Sequence, residues 1–595
     1  ERIKGIVEKN AETKHENGSI GQKVGDFYNS FLNEAEVNEK GISPVRDLLK
    51  EVTSLDTHEK LITHFGKLGV LGVGSPIGLF IGVDEKKSTD YLTTIAQSGT
   101  TLPDRDYYLK DDQKYVDARK ALVTYINKLF ELAQIEATPG EAILNLEKQI
   151  AEAQWSRIEL RDANKTYNKY ALSDLAKLAP KTNWKGFFET SKLSAIKELN
   201  VMTPSFFEKL DGIIQATPVE VWQQYLQYRI IDNFAPFMAA EFDRSHFELH
   251  QKQLAGIPEQ QPRWKRGVTL LGGVLGEAVG KLYVEQYFKP EAKARMNELV
   301  QNLLKAFDSS IDELEWMTAT TKKRAKEKLS KITTKIGYPD EWRDYSKLEV
   351  VAGDLVGNLN RAAEFEHNRQ VDRLGKPVDR KEWGMTPQTV NAYYNPTMHE
   401  IVFPAAILQS PFFDMDAPEA LNYGGIGAVI GHEISHAFDD QGSQYDGDGN
   451  LKNWWSDEDR QAFESLTKRL VAQYEQYEPL PGKKIQGQLT LGENIADLSG
   501  LSIAFKAYKI SLKGKQPEEF AGWNGDQLFF IGWSRVWQRK YRDAEMVKRL
   551  ATDNHSPSQF RANGPVTNID AFYDAFEVKE GDKLFKPVAE RIRIW

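Results

Sequence analysis

The sequence predicts a mainly α protein with a small β-sheet, an α+β class, and three observations carry that prediction. Long stretches repeat apolar residues at three- and four-residue intervals, as helices burying one face require. Strand-like passages are short and few, and no internal repeat or low-complexity tract interrupts the 595 residues. From Glu1 to about Glu259 the pattern is mostly helical, with Tyr115 to Leu132 and Pro139 to Glu159 as long helices and Leu68 to Gly82 as a strand-like interruption. Pro258 and Pro262 mark a break. Residues 265 to about 336 read as helix again, Lys322 to Lys328 (KKRAKEK) as its solvated face, and Gly337 to Asp340 (GYPD) as a stop. Short strands follow, above all Glu400 to Phe403, and then two helices around residues 428–442 and 489–505. The chain accordingly divides into a mostly helical domain at 1–264, a helical connecting segment at 265–345 and a further domain at 346–595.

Composition excludes several function classes. Hydrophobic residues make up 41% and charged residues 27%, as in a globular chain large enough for more than one core. A net charge of −9 lacks the concentrated basic surface that nucleic acid requires. No run reaches the roughly 18 to 20 apolar residues that span a bilayer. The nearest, Val70 to Val83, is too short and is broken by four glycines and a proline. With no Cys in the chain, disulfides are excluded and any metal must be held by His and carboxylate.

Chemistry concentrates in Asn422 to Gly442 (NYGGIGAVIGHEISHAFDDQG), which contains His432, Glu433 and His436 in the H-E-x-x-H pattern. On a helix the two imidazoles lie within roughly 40° of each other, with Asp439 on the same stripe and Glu433 beside it. Ala428, Val429 and Ile430 form an apolar lead-in, and Gly442 supplies a helix stop. Gly431 inside that helix costs about 1 kcal/mol relative to Ala, which points to something packed close. Catalytic zinc sites take three protein ligands and leave a position for water. Leu489 to Phe505 (LTLGENIADLSGLSIAF) offers the third in Glu493, with Asp497 one turn later. Two acids at that spacing repel by a few tenths of a kcal/mol on a bare helix, so the pair asks for a cation. Asp497 and Asp439 are then placed to accept the second N–H of each ligand imidazole.

In these blocks the chain resembles the neprilysin and endothelin-converting enzyme family of zinc endopeptidases, in particular its bacterial oligopeptidase O members. The resemblance also rests on SGTTLPDRDYYL (98–109), GEAVGKLYVEQYF (276–288), LEWMTATTKKRAKEKLSKITTKIGYPD (314–340), VNAYYNP (390–396), IVFPAAILQSPFF (401–413) and DNHSPSQFRANGP (553–565), in one order along nearly the whole chain. It implies a thermolysin-like catalytic domain, at 346–595, facing a largely helical lid domain and enclosing a cavity that admits oligopeptides. It implies one Zn2+ per chain, Glu433 as general base, and His555 and Arg561 as donors to the oxyanion. Asn391 and Ala392 match the strand that binds the substrate backbone. Ile407, Phe412, Ala428, Val429, Val536 and Trp537 match a pocket after the scissile bond, so cleavage on the amino side of large hydrophobic residues is expected. The competing expectation is an inactive peptide-binding protein of the same fold.

Animal members carry disulfides, including one beside a C-terminal tryptophan; here Trp595 is kept and the bridge is not, which fits a bacterial enzyme. A monomer without a membrane span is expected, in the periplasm or secreted, with the cytoplasm as alternative. Two other motifs are expected to be structural. His246 to His250 (HFELH) places its Glu off the face shared by the two His, and no partner block accompanies it. Asp446 to Asp457 begins like an EF-hand loop but has Leu451 where the sharp turn needs Gly.

Overall fold

A computed structural model describes residues 1–595. It is mainly helical with two small sheets, and it divides into two compact units. The first comprises Glu1–Asp84, Thr89–Val279 and Trp342–Val378; the second comprises Glu85–Ser88, Gly280–Glu341 and Asp379–Trp595. Residues 265–345, read from the sequence as one connecting segment, are therefore shared between the two.

In the first unit, strands β1 (Ile77–Asp84), β2 (Lys87–Gln97), β3 (Lys169–Ala171) and β4 (Glu198–Val201) form a sheet in the order β1-β2-β4-β3. β2 runs parallel to β4, with Thr94 opposite Asn200, and β3 runs antiparallel to it. The strand-like passage expected at 68–82 is helix to Val70 and strand only from Ile77, and its hairpin partner β2 went unread. The helix expected over 139–159 stops at Ala153. There Trp155 donates its N–H to the Gln97 side chain, and Ser156 starts a new short helix with a capping box. The core of this unit is aromatic-rich, with Phe206, Phe207, Trp222, Tyr225 and Tyr228 buried together.

The second unit holds β5 (Thr333–Gly337), β6 (Tyr393–Asn395) and β7 (Glu400–Pro404) in the order β5-β7-β6. β5 is parallel to the central β7 and β6 antiparallel, with Tyr393 opposite Val402, so β6 is an edge. Every residue of β7 is buried, as expected for a central strand covered on both faces. Around the sheet pack the helices Pro290–Glu313, Ala319–Ser330, Ala428–His436 and Leu491–Ser511. No single helix is long and apolar enough to cross a membrane.

Candidate active site

The helix Ala428–His436 and the helix Leu491–Ser511 cross at two glycines. A Cβ on Gly431 would stand 2.4 Å from the Gly500 carbonyl oxygen, and one on Gly500 would stand 2.3 Å from the His432 nitrogen. Only bare backbone on both sides permits that approach. It brings His432 and His436 from one helix against Glu493 and Asp497 from the other.

His432 Nε2 lies 3.2 Å and His436 Nε2 3.5 Å from Glu493 Oε2, and the two Nε2 atoms are 2.9 Å apart. The imidazole planes stand at 88° to each other. His432 Nδ1 is 2.8 Å from Asp497 Oδ1, and His436 Nδ1 is 2.7 Å from Asp439 Oδ2. Ionised carboxylates only accept hydrogen bonds, so each Nδ1 carries the proton and each Nε2 presents a lone pair inward. Two such lone pairs converge on a buried carboxylate oxygen that has no hydrogen-bond partner of its own. Without a cation that set repels itself, and two imidazoles with one carboxylate suit zinc. The residues present fit the metal that the motif calls for.

The helix ends earlier than its sequence suggests. It stops at His436, and Asp439 lies beyond it, on a turn, not on the helical stripe. Asp439 Oδ1 accepts the N–H groups of Gln441 (2.8 Å) and Gly442 (2.6 Å), which folds the chain back. Gly442 is not the helix stop: a Cβ there would stand 1.8 Å from the His436 carbonyl oxygen, so it lets the turn close against the helix end.

Glu433 is buried beside the ligands, and burial raises its carboxyl above the usual range against the pull of His432 and His436. Arg561, on the helix Ser558–Val566, grips Asp497 through Nε and Nη2, both at 2.7 Å, and stacks 3.9 Å over the Trp537 ring. Burial opposes charge on both partners, yet each holds the other ionised: Asp497 lies below the carboxylate range and Arg561 above its ordinary value. His555 Nε2 lies 3.2 Å from Glu493 Oε2. Three residues at the site escaped the sequence reading. Asp553 accepts His555 Nδ1–H at 2.8 Å, Asn554 donates to Glu493 Oε1 at 3.0 Å, and Lys328 is buried behind the turn. The first two were legible as neighbours of His555 in DNH. Lys328 was misread as part of a wet face, although Thr321, Ala325, Lys328 and Leu329 form one buried stripe.

The remaining predicted residues fall as follows. Asn391 is exposed and Ala392 buried, immediately before the edge strand β6. Ile407 and Ala428 are buried, with Phe412, Val429, Val536 and Trp537 partly buried, in one apolar cluster of the second unit. Asp446 forms a turn by accepting the N–H groups of Asp448 and Asn450. His246 and His250 stack at 4.1 Å, and the partner that the sequence did not reveal is Asp232, whose Oδ1 lies 2.9 Å from His250 Nε2.

Comparison with known proteins accords with this site. Family models described as peptidase family M13 match residues 1–339 and 391–592. Human endothelin-converting enzyme 1 is 32% identical over 608 residues, covering 96% of this chain and 77% of the relative. A crystal structure of the Mycobacterium tuberculosis zinc metalloprotease Zmp1 with an inhibitor is 43% identical, superposes with a TM-score of 0.97, and is matched over 100% of this chain and 92% of that one. The PepO structure from Lactobacillus rhamnosis is 26% identical with a TM-score of 0.90, covering 100% and 94%. The chain belongs to peptidase family M13, the neprilysin and endothelin-converting enzyme family, and is a zinc metalloendopeptidase.

Proposed function

We propose that this protein hydrolyses oligopeptides on the amino side of large hydrophobic residues, with His432, His436 and Glu493 holding one zinc ion and Glu433 as general base. The observation that carries the reading is the convergence of the two Nε2 atoms on Glu493 Oε2 within 3.5 Å, an oxygen with no hydrogen-bond partner of its own. When bound there, zinc supplies Lewis-acid polarisation of the scissile carbonyl and acidifies water.

Glu433 takes the proton from water as the water oxygen attacks the carbonyl carbon. It returns that proton to the amide nitrogen as the C–N bond breaks. Asp497 takes one N–H each from Nε and Nη2 of Arg561, which leaves the remaining guanidinium N–H groups for the developing oxyanion. His555, its Nδ1–H given to Asp553, offers Nε2 as a second donor when the ring carries both protons. Asn391 and the β6 edge suit an extended peptide, which adds its backbone to an open strand. Phe412, Val429, Val536 and Trp537 supply an apolar seat for the side chain after the scissile bond; burying a large one there contributes about 1.5–3 kcal/mol.

The test is cleavage of a quenched fluorescent peptide library by native, chelator-stripped and zinc-restored protein. Loss and recovery, with cuts before Phe or Leu, is the expected result. A preference for charged residues at that position would overturn the specificity, and peptide binding without cleavage by zinc-loaded protein would favour an inactive peptide-binding role.

A further inference from the structure

Lys328 sits on the inner stripe of the helix Ala319–Ser330 and is 2% exposed. Its ammonium donates to three backbone carbonyls, Ala437 at 2.6 Å, Gly442 at 2.7 Å and Tyr445 at 2.7 Å. The rings of Phe438 and Trp454 stand 5.4 and 5.5 Å from Nζ. Lys328 forms no salt bridge with any carboxylate. Burial lowers its pKa to about 7, with Asp439 and Asp446 acting in the opposite sense. Three donor bonds nevertheless need the protonated form, and a buried charge is tolerated only where its hydrogens are bonded. A leucine or methionine would fill the same space without that cost, so the charge serves the three carbonyls.

Those carbonyls bracket Asp439. Ala437 closes the H-E-x-x-H helix, where the negative end of the helix dipole also favours a cation. Gly442 and Tyr445 lie on the far side of the turn. Two tryptophans brace the same turn with one neutral bond each, Trp595 Nε1 to the Phe438 carbonyl (3.1 Å) and Trp455 Nε1 to that of Ser443 (2.9 Å). Of these three bracing side chains, only Lys328 bonds on both sides of Asp439.

We infer that Lys328 is a positioning residue for the metal: it fixes residues 437–445 in the shape that aims Asp439 Oδ2 at His436 Nδ1 and so presents His436 Nε2 toward Glu493. The inference rests on the proposed reading of His432, His436 and Glu493 as zinc ligands. Lys328 acts through Asp439, so its effect on the metal disappears when Asp439 can no longer hold the ring. A residue that merely stabilises the fold shows no such dependence.

The experiment follows zinc release from the full-length holoprotein into a chelator, alongside thermal melting, for Lys328→Gln, Asp439→Asn, their combination and Trp455→Phe. Losing the partner that orients a ligand imidazole weakens metal binding about 10- to 100-fold, and Lys328→Gln is expected to speed release by about tenfold, at the low end of that range. In the Asp439→Asn background the same change is expected to add about twofold at most. Trp455→Phe is expected to lower the melting temperature without speeding release. An equal fold-change in both backgrounds overturns the inference, as does release that tracks melting temperature across all variants. Should Lys328→Gln not fold, Lys328→Arg takes its place in the same cycle, since a guanidinium keeps the charge but spreads its donors in a plane. Wild-type protein that holds no zinc would instead overturn the ligand assignment.

Discussion

The molecule contains two helical His pairs four residues apart, each with a carboxylate brought from another helix, and the two are held in different ways. At His432 and His436 the rings stand at 88°, both Nδ1 atoms are held by carboxylates, and both Nε2 atoms face Glu493. At His246 and His250 the rings lie nearly parallel, at 29°, and one ligand atom from each lies within 4.8 Å of the other and of an Asp232 oxygen, with no carboxylate on the outer nitrogens. His250 spends Nε2 on Asp232, whose same oxygen also accepts the Tyr125 hydroxyl at 2.7 Å. A π-helical turn, Glu248–Gln253, begins between these two residues, whereas the 432–436 pair rides a regular α-helix. Spacing alone thus does not make a site. The groups that hold the outer nitrogens decide which way the inner ones point.

The sharpest way to break this contrast is Glu493→Ala. It removes the oxygen on which both Nε2 atoms converge, and metal analysis after dialysis is expected to fall from one zinc per chain to none. Zinc retained at full stoichiometry would mean that another residue supplies the third ligand. Asp497→Asn comes next. It removes the negative charge and leaves one acceptor oxygen where His432 and Arg561 use two, so zinc affinity is expected to fall about 10- to 100-fold, with kcat falling further than the affinity change explains. Competition against a chelator and steady-state kinetics at saturating zinc separate the two losses.

The smallest effect concerns the other pair. Asp232→Asn is expected to leave zinc stoichiometry unchanged and to destabilise the protein by about 1.5–3 kcal/mol, the range for a hydrogen bond to a charged group. Although burial pushes the Asp232 carboxyl up, the His250 ring and the Arg229 guanidinium outweigh it and hold the carboxyl below the usual range. The folded state therefore favours the ionised form. Its contribution is fully present above the unfolded carboxylate value of about 4 and is lost as pH falls below that. The difference in denaturant unfolding between wild type and Asp232→Asn is expected to be smaller at pH 3 than at pH 7. A gap that widened in acid would contradict the sign.

Much of the site was legible because its chemistry is written in short-range spacing. H-E-x-x-H, the Glu493 and Asp497 pair one turn apart, and the block carrying His555 and Arg561 each declare their residue types within a few positions. The mainly helical class was legible from periodicity for the same reason. What the sequence hid depends on contacts across long separations. Asp232 reaches His250 from a different helix with no motif to announce it. The end of the helix at His436 is set by the Asp439 turn and by Lys328, more than a hundred residues away. Lys328 shows the limit most clearly, since a charged residue in a basic run reads as solvated until its neighbours on the buried stripe are counted.

The central claim is that Glu433 does the proton transfer at a metal held by other residues. The most direct measurement is peptide cleavage by Glu433→Gln with zinc content determined on the same sample. One zinc per chain and a rate reduced by about 10²- to 10⁴-fold is the predicted result. Cleavage near the wild-type rate with zinc still bound would contradict it.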